Sequence, residues 1–246
     1  METYIRVQTA GDVFRNAARL YLGHFRVFFL AYLIPVAPIL VLATRALVLR
    51  AQAGAQLALF LLWMALAYVM TIPIMAIISD ICLGNAPGVR RAYRHVFGRA
   101  TGKVAPALLA AYCATMLGFA LFIVPGLVIM TRLMMLAPAL VLERRPILDA
   151  FRRSAELGRG YYVRNLFIAI VAIVLTLFLG TVVVVIVTML LTQVAGLSPG
   201  FALGVGQTVA LVFGPFATSV VVLLYYDMRA RKEAYDSAKL AEDLHR

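Results

Sequence analysis

Charged residues are scarce in this sequence: Asp, Glu, Lys and Arg make up 14% of its 246 residues. Soluble domains carry about a quarter, because their surfaces must be solvated by water. The apolar share is 63%, and the mean hydropathy is +0.94. This balance excludes an ordinary water-soluble domain and indicates lipid as the solvent. Since the apolar segments run almost end to end, we predict that residues 1–246 form a single integral membrane domain.

Residue groups that support chemistry are also missing. The sequence contains no GxxxxGK[ST], GxGxxG, HExxH or GxSxG pattern, so nucleotide-binding, zinc-protease and hydrolase sites lack their usual scaffolds. The three histidines are isolated, and the two cysteines, Cys82 and Cys113, stand in apolar segments without a CxxC pair. We therefore expect no cofactor, no metal site and no enzymatic activity.

Six apolar stretches are long enough to cross about 30 Å of hydrocarbon, which takes about 20 helical residues. The third and fourth share one run that only Pro125-Gly126 divides, and this dipeptide predicts a turn between two spans. The sequence thus predicts an all-α, polytopic membrane protein. The predicted spans are 25–49, 56–83, 104–124, 126–142, 165–195 and 201–226.

The basic residues are distributed asymmetrically along these spans. Twenty of the 23 Lys and Arg residues fall in the N-terminal arm, the two loops after spans two and four, and the tail at 228–246. Six spans place these regions on one side, and only Arg45 and Arg50 lie opposite. Cytoplasmic loops carry such an excess, so both termini are predicted to be cytoplasmic. The formal charge of +12 then needs no nucleic acid partner.

Three of the basic segments have the pattern of short amphipathic helices, at 9–23, 88–100 and 146–158. Thr9, with an acid three residues later, predicts a capping box at the first. Basic amphipathic helices beside membrane spans lie in the interface plane, where anionic headgroups bind them. The residues expected to contact anionic lipid are Arg90, Arg91, Arg99, Arg144, Arg145, Arg153 and Arg159.

The same three segments align with one another as an internal repeat. Residues 13–25, 92–104 and 150–162 share an aromatic, an arginine and a glycine column, and each leads into an odd-numbered span. Each even-numbered span carries a proline and then an acid near its cytoplasmic end. The chain therefore has the pattern of three hairpins, each preceded by an interfacial helix. The columns are Phe14, Tyr93 and Phe151; Arg15, Arg94 and Arg152; and Gly23, Gly102 and Gly160.

The three acids, Asp80, Glu143 and Asp227, lie where a carboxylate near lipid would favour a cation. One hypothesis is that they form ion pairs with the repeat arginines and hold the interfacial helices against the bundle. The alternative is that the acids are solvated at the membrane edge.

Arg132 is the one charge inside a predicted span, about six residues into the fourth. A charge at that depth is costly and usually faces the protein interior or a cavity. It could extend its side chain to the phosphates, or bind helix carbonyls that a proline leaves unpaired. It could also bind an anionic ligand such as a lipid headgroup.

The segments PGLVIMTRLMMLAPALVLE (125–143), AFRRSAELGRG (150–160) and LLYYDMRARKEAYD (223–236) together resemble the bacterial family of the membrane domain of glycerophosphoryl diester phosphodiesterase. The resemblance covers roughly residues 103–240 and implies a multi-span protein of the bacterial inner membrane. In fused members a soluble barrel carries the hydrolysis. This sequence has no room for that barrel, so the resemblance does not imply that activity. The positions that match the family's motifs are Pro125, Gly126, Arg132, Glu143, Arg152, Arg153, Ser154, Asp227 and Arg229.

These features favour a non-enzymatic membrane protein that binds, senses or moves lipid or another amphiphile. Membrane lipids are then its expected partners, with a protein partner or a second copy also possible. A scaffold or assembly subunit of a larger complex is the first alternative, and a small-solute transporter or channel is the second.

Overall fold

The computed structural model describes residues 4–33, 54, 71–96, 101–143 and 145–233, and every regular element in these ranges is helical. The all-α prediction is therefore confirmed for the described residues. Predicted spans one and two lie mostly outside them, so the six spans and three hairpins remain predictions. The helices are α1 Ala10–Gly23, α2 25–33, α3 Thr71–Cys82, α4 Val89–Val96, α5 Thr101–Leu121, α6 Ile123–Leu133, α7 Leu136–Val141, α8 Ile147–Gly158, α9 Tyr162–Met189, α10 Pro199–Ala210 and α11 Gly214–Glu233.

Three helical segments are long and apolar enough to cross a membrane: Ile123–Val141, Tyr162–Val194 and Pro199–Glu233. They coincide with predicted spans four, five and six. Two shorter apolar helices, Thr71–Cys82 and Pro106–Leu121, fall within predicted spans two and three. The described part of the chain thus has the helix lengths and composition of a membrane protein.

The turn predicted at Pro125-Gly126 is displaced. Helix α5 ends at Leu121, a single extended residue, Phe122, follows with φ −162° and ψ 156°, and α6 begins at Ile123. Pro125 therefore lies in the first turn of α6, where its missing N–H costs nothing. A Cβ on Gly126 would lie 2.5 Å from ring carbons of Phe119, so this glycine serves close packing of α5 on α6 and not a turn.

Two other prolines follow breaks in their spans. Predicted span four breaks at residues 134–135, and Pro138 lies in the first turn of the short helix α7. The last span contains a 3-10 segment, Leu211–Phe213, immediately before Pro215 near the start of α11. The Tyr21 hydroxyl donates to the carbonyl of Val212 at 2.8 Å, which satisfies a group within that break. The predicted fifth span, by contrast, is continuous α-helix as far as Met189.

The core lies around the C-terminal half of α11. Every residue from Val222 to Met228 is fully buried there, including Tyr225 and Tyr226. Helices α1, α3, α8 and α9 pack against α11. Most of α9 is exposed instead, with apolar side chains over its length, as expected for a helix that faces lipid.

The three amphipathic segments are helices α1, α4 and α8, although residues 97–100 of the second lie outside the described part. The capping box is present, because Thr9 and Asp12 exchange hydrogen bonds at the start of α1. Burial follows the register of the predicted repeat. Val13, Ala92 and Ala150 are buried, the aromatic column is half-buried, and the arginine column is exposed.

The glycine column of the repeat is not uniform. Gly23 ends α1, Gly102 lies within α5, and Gly160 lies in the turn after α8 with φ +85°. Only Gly160 uses the left-handed conformation that favours glycine.

Candidate functional site

Asp227 is a fully buried carboxylate near the end of α11. Its Oδ1 accepts hydrogen bonds from the backbone N–H of Gln8 at 2.7 Å and from Nε of Arg231 at 3.0 Å. Its Oδ2 accepts from Nη1 of Arg164 at 2.8 Å. The carboxylate of Asp227 therefore joins the N-terminal segment and the start of α9 to α11.

The Gln8 carbonyl completes this network. It accepts from Nη2 of Arg164 at 2.9 Å and from Nη2 of Arg231 at 2.8 Å, so each guanidinium binds both Asp227 and Gln8. The Gln8 side chain in turn accepts from Asn16 of α1 at 3.0 Å. Hydrogen bonds in which the donor or the acceptor is charged are shorter and stronger than neutral ones, so the N-terminal segment is held firmly at this point.

Glu143 is the second buried acid, with a side chain 5% exposed. Nε of Arg153 lies 3.1 Å from both carboxylate oxygens, and Nε of Arg229 lies 3.8 Å from Oε1. The Tyr225 hydroxyl and Nε of Arg145 also donate to this carboxylate. Helix α8 is thus joined to α11 through the end of predicted span four.

Glu233 extends this cluster on the side of α11. It accepts from Nε of Arg229 at 3.0 Å and from Nη2 of Arg153. Arg153 and Arg229 are 13% and 10% exposed, so two nearly buried arginines lie between two carboxylates. Such pairing offsets the cost of removing these charges from water.

The surroundings of Glu143 act on its pKa in opposite directions. Burial raises the pKa, while hydrogen bonds from Tyr225 and Arg145 and the charges of Arg153 and Arg229 lower it more. The net result is a pKa below the ordinary 4.5, so the carboxylate is ionised at neutral pH.

Asp80, the third acid, lies beside Arg91 of α4. Nη1 of Arg91 lies 3.9 Å from Asp80 Oδ2, and these side chains are 48% and 17% exposed. An exposed pair at this distance contributes little to stability. All three acids therefore lie within 4 Å of a guanidinium, but only Glu143 and Asp227 are deeply buried.

The arginines predicted to form these pairs are not the ones that do. Arg15 lies 3.6 Å from Asp12 of its own helix, and the exposed Arg94 and Arg152 form no ion pair with another described residue. These three arginines are exposed on their helices. Arg153, about 100° further round α8 than Arg152, points to the core instead. Asp227 is bound by arginines of α9 and α11, outside the amphipathic helices.

Arg132 lies in the last turn of α6 with an exposed side chain. Its backbone carbonyl accepts a hydrogen bond from the buried Ser154 hydroxyl at 2.6 Å. Ser154 follows Arg153 on α8, so the backbone of Arg132 lies beside the helix that carries the Glu143 pair. The Ser154 hydroxyl therefore joins α8 to the end of α6.

The residues predicted to contact lipid separate into distinct environments. Arg90, Arg91 and Arg159 are exposed. Arg145 is also exposed, although its Nε donates a hydrogen bond to Glu143. Arg153 forms ion pairs with Glu143 and Glu233, and its side chain is too buried to contact a headgroup. Arg99 and Arg144 lie outside the described residues.

Several members of these clusters were not identified from the sequence. Arg231 and Glu233 each lie four residues after a partner on α11, a spacing that indicates a contact on one helical face. Arg164 is the last charge before a run without charges. Gln8 contributes backbone atoms, for which the sequence offers no signal. Among the described residues, no group of three or more His, Cys, Asp or Glu residues could hold a metal ion.

The fold and this site define a class of protein: a helical membrane domain whose helices are joined at one rim by buried carboxylate–arginine contacts. The family model for the membrane domain of glycerophosphoryl diester phosphodiesterase matches residues 107–233 of 246, and the chain belongs to that family. The match begins within α5 and ends with α11, so it includes both buried acids. No curated protein and no solved structure matches the chain.

Proposed function

We propose that the protein is a non-enzymatic protein of the bacterial inner membrane that binds anionic lipid at its cytoplasmic face, and that senses or moves such lipid. The proposal includes cytoplasmic termini and six spans arranged as three repeated hairpins. It rests on the basic asymmetry of the sequence, on the membrane-domain family and on the separation of the arginines into two sets.

That separation is the observation that carries the proposal. Four arginines turn inward and lie within 4 Å of a buried acid: Arg153, Arg164, Arg229 and Arg231. Other arginines on the amphipathic helices or directly after them turn outward from the same rim, and they include Arg90, Arg94, Arg152 and Arg159. The inward set stabilises the fold. The outward set supplies positive charge beside apolar surface, which suits an anionic headgroup and its acyl chains.

The test is lipid retention in nanodiscs that contain phosphatidylglycerol and phosphatidylcholine. Arg94→Gln combined with Arg152→Gln removes two outward charges. At about 1 kcal/mol for each basic residue near the surface, affinity for phosphatidylglycerol should fall about 30-fold. Arg45→Gln combined with Arg50→Gln is the matched control, because it removes two charges predicted to lie on the opposite face. Equal loss in both variants, or no loss in the first, would contradict the proposal.

Arg132 is the residue we propose as a direct headgroup ligand. Its side chain is exposed on an apolar helix, and its backbone lies beside α8. Arg132→Met should reduce retention of anionic lipid, and Arg132→Lys should retain most of it because a cation remains. Unchanged retention in Arg132→Met would leave only a structural role for this side chain.

The same purification distinguishes the scaffold alternative. A stoichiometric protein partner that remains bound when lipid is exchanged would favour an assembly subunit. A lipid-dependent preparation without such a partner would favour the lipid-binding proposal.

A further inference from the structure

The hairpin of α5 and α6 has an apolar tip. Leu121, Phe122, Ile123 and Val124 are each more than 60% exposed, at 62%, 75%, 70% and 68%. Turns in water are built from polar residues and glycine, since their backbone groups and side chains must be solvated. Four consecutive exposed apolar side chains indicate a different surrounding medium.

The reach of the hairpin can be bounded from its sequence and helix lengths. No charged residue occurs between Lys103 and Arg132. At 1.5 Å per residue, Lys103 is about 27 Å from Leu121 along α5, and any bend would shorten this path. Along α6 and α7, Val141 is about 29 Å from Phe122, and Arg132 lies within this path. Neither path exceeds the roughly 30 Å of hydrocarbon in a bilayer, so the tip does not extend beyond it.

The backbone of the tip is suited to a medium without water. The Phe122 N–H donates to the Gly118 carbonyl at 3.0 Å, and the Gly126 N–H donates to the Phe122 carbonyl at 3.3 Å. Pro125 has no N–H to satisfy. Of the donors that a helix start normally leaves unpaired, only those of Ile123 and Val124 remain. This arrangement limits the cost of placing a turn in lipid.

The hairpin of α9 and α10 provides a contrast within the same chain. Its helix α9 extends about 38 Å from Arg164 to Met189, which already exceeds the hydrocarbon thickness. Its turn contains Gly196, with φ +63°, and Ser198, together with the exposed apolar side chains of Val194 and Leu197. The two tips therefore differ in the length of their helices and in the presence of glycine and a polar residue in the turn, as a tip in lipid and a tip in water should differ.

We infer that the tip at residues 121–124 ends within the bilayer, in contact with lipid acyl chains, and does not form an aqueous loop. The interaction surface is the four apolar side chains, and its occupant is hydrocarbon. The inference concerns the end of the hairpin opposite the headgroup-binding rim. It modifies the proposed six-span arrangement at spans three and four, which then stop short of the far interface, and it leaves both termini on the cytoplasmic side.

Tryptophan fluorescence tests the depth directly. The sequence contains one tryptophan, Trp63, so Phe122→Trp in a Trp63→Phe background reports on the tip alone. In proteoliposomes its emission should be blue-shifted, strongly quenched by phosphatidylcholine brominated on the acyl chains, and insensitive to iodide. Leu197→Trp in the same background is the control at the other tip, and iodide should quench it. Iodide quenching at position 122 would overturn the inference, and insensitivity to both quenchers would assign the tip to a protein contact instead.

Cysteine labelling provides a second measurement that does not depend on the Trp63 substitution. Phe122→Cys and Ser198→Cys are each introduced with Cys113→Ala, because Cys113 is exposed while Cys82 is buried. In permeabilised vesicles a charged maleimide should label position 198 at least tenfold faster than position 122. After unfolding in dodecyl sulfate both positions should react equally. Equal labelling before unfolding would place both tips in water and contradict the inference.

Discussion

Replacing Asp227 with Asn should destabilise the protein more than any exposed charge substitution. The carboxylate is fully buried, and it accepts three hydrogen bonds of 2.7–3.0 Å from Gln8, Arg164 and Arg231. The two guanidiniums are 26% and 22% exposed, so solvent screens them only in part. Removing one partner of a buried ion pair costs about 3–5 kcal/mol, because the remaining charge is uncompensated. Asn retains one acceptor oxygen, so the lower value, about 3 kcal/mol, is expected.

The assay is thermal unfolding in detergent micelles, followed by intrinsic fluorescence. For a chain of this length about 3 kcal/mol corresponds to a fall in Tm of about 6–12 °C. Asp149→Asn is the matched control, since that acid is exposed and has no ion pair among the described residues. Arg164→Gln should not add its full effect to Asp227→Asn, because both disrupt one network. A fall no larger than the control's, or full additivity, would refute the reasoning.

Three further predictions concern other parts of the structure. The lowered pKa of Glu143 contributes stability that is present above about pH 4.5 and is lost as pH falls through the folded pKa. The Tm of the wild type should therefore fall as the pH is lowered below about 4.5, and the Tm of Glu143→Gln should fall less. Gly126→Ala should lower stability by about 1–3 kcal/mol, because its Cβ would lie 2.5 Å from the ring of Phe119. Gly180→Ala is the control in the same thermal assay. Its Cβ would be 3.7 Å from the nearest neighbour, so this change should be neutral or stabilising. Arg153→Gln should lower the Tm with little effect on phosphatidylglycerol retention and Arg152→Gln should do the reverse, so a shared phenotype would contradict the separation of inward and outward arginines.

Hydrophobic pattern and capping residues predicted the helices but not their connections. The amphipathic segments were located from helical periodicity, and the capping box at Thr9 follows from its local sequence. The sequence predicted the break between α5 and α6 at Pro125-Gly126, three residues after its actual position at Phe122. A proline followed by a glycine is compatible both with a turn and with the first turn of a helix, so the pair alone does not distinguish them. Tight helix packing at Gly126 decides between these, and it depends on a contact that local sequence does not contain.

The acids of the candidate site were predictable, but their partners from other parts of the chain were not. A carboxylate at the edge of an apolar run indicates a nearby cation, since an unpaired charge there is costly. The choice between Arg152 and Arg153 depends on which side of α8 meets α11, a tertiary property. For Asp227 the partners come from Gln8 and Arg164, 219 and 63 residues away in sequence. No local pattern indicates a backbone N–H as a ligand.

The position of these contacts follows from the physics of the membrane. Apolar burial drives soluble domains to fold, but it provides little attraction between helices whose alternative surrounding is equally apolar lipid. Most of α9 is accordingly exposed, and burial is concentrated in residues 222–228 of α11, beside the acid–arginine contacts. Polar contacts at one rim therefore act together with close packing to set the relative positions of these helices. Loss of both Asp227 and Glu143 should consequently separate the helices while each remains helical, so far-UV circular dichroism should persist after the cooperative thermal transition is lost.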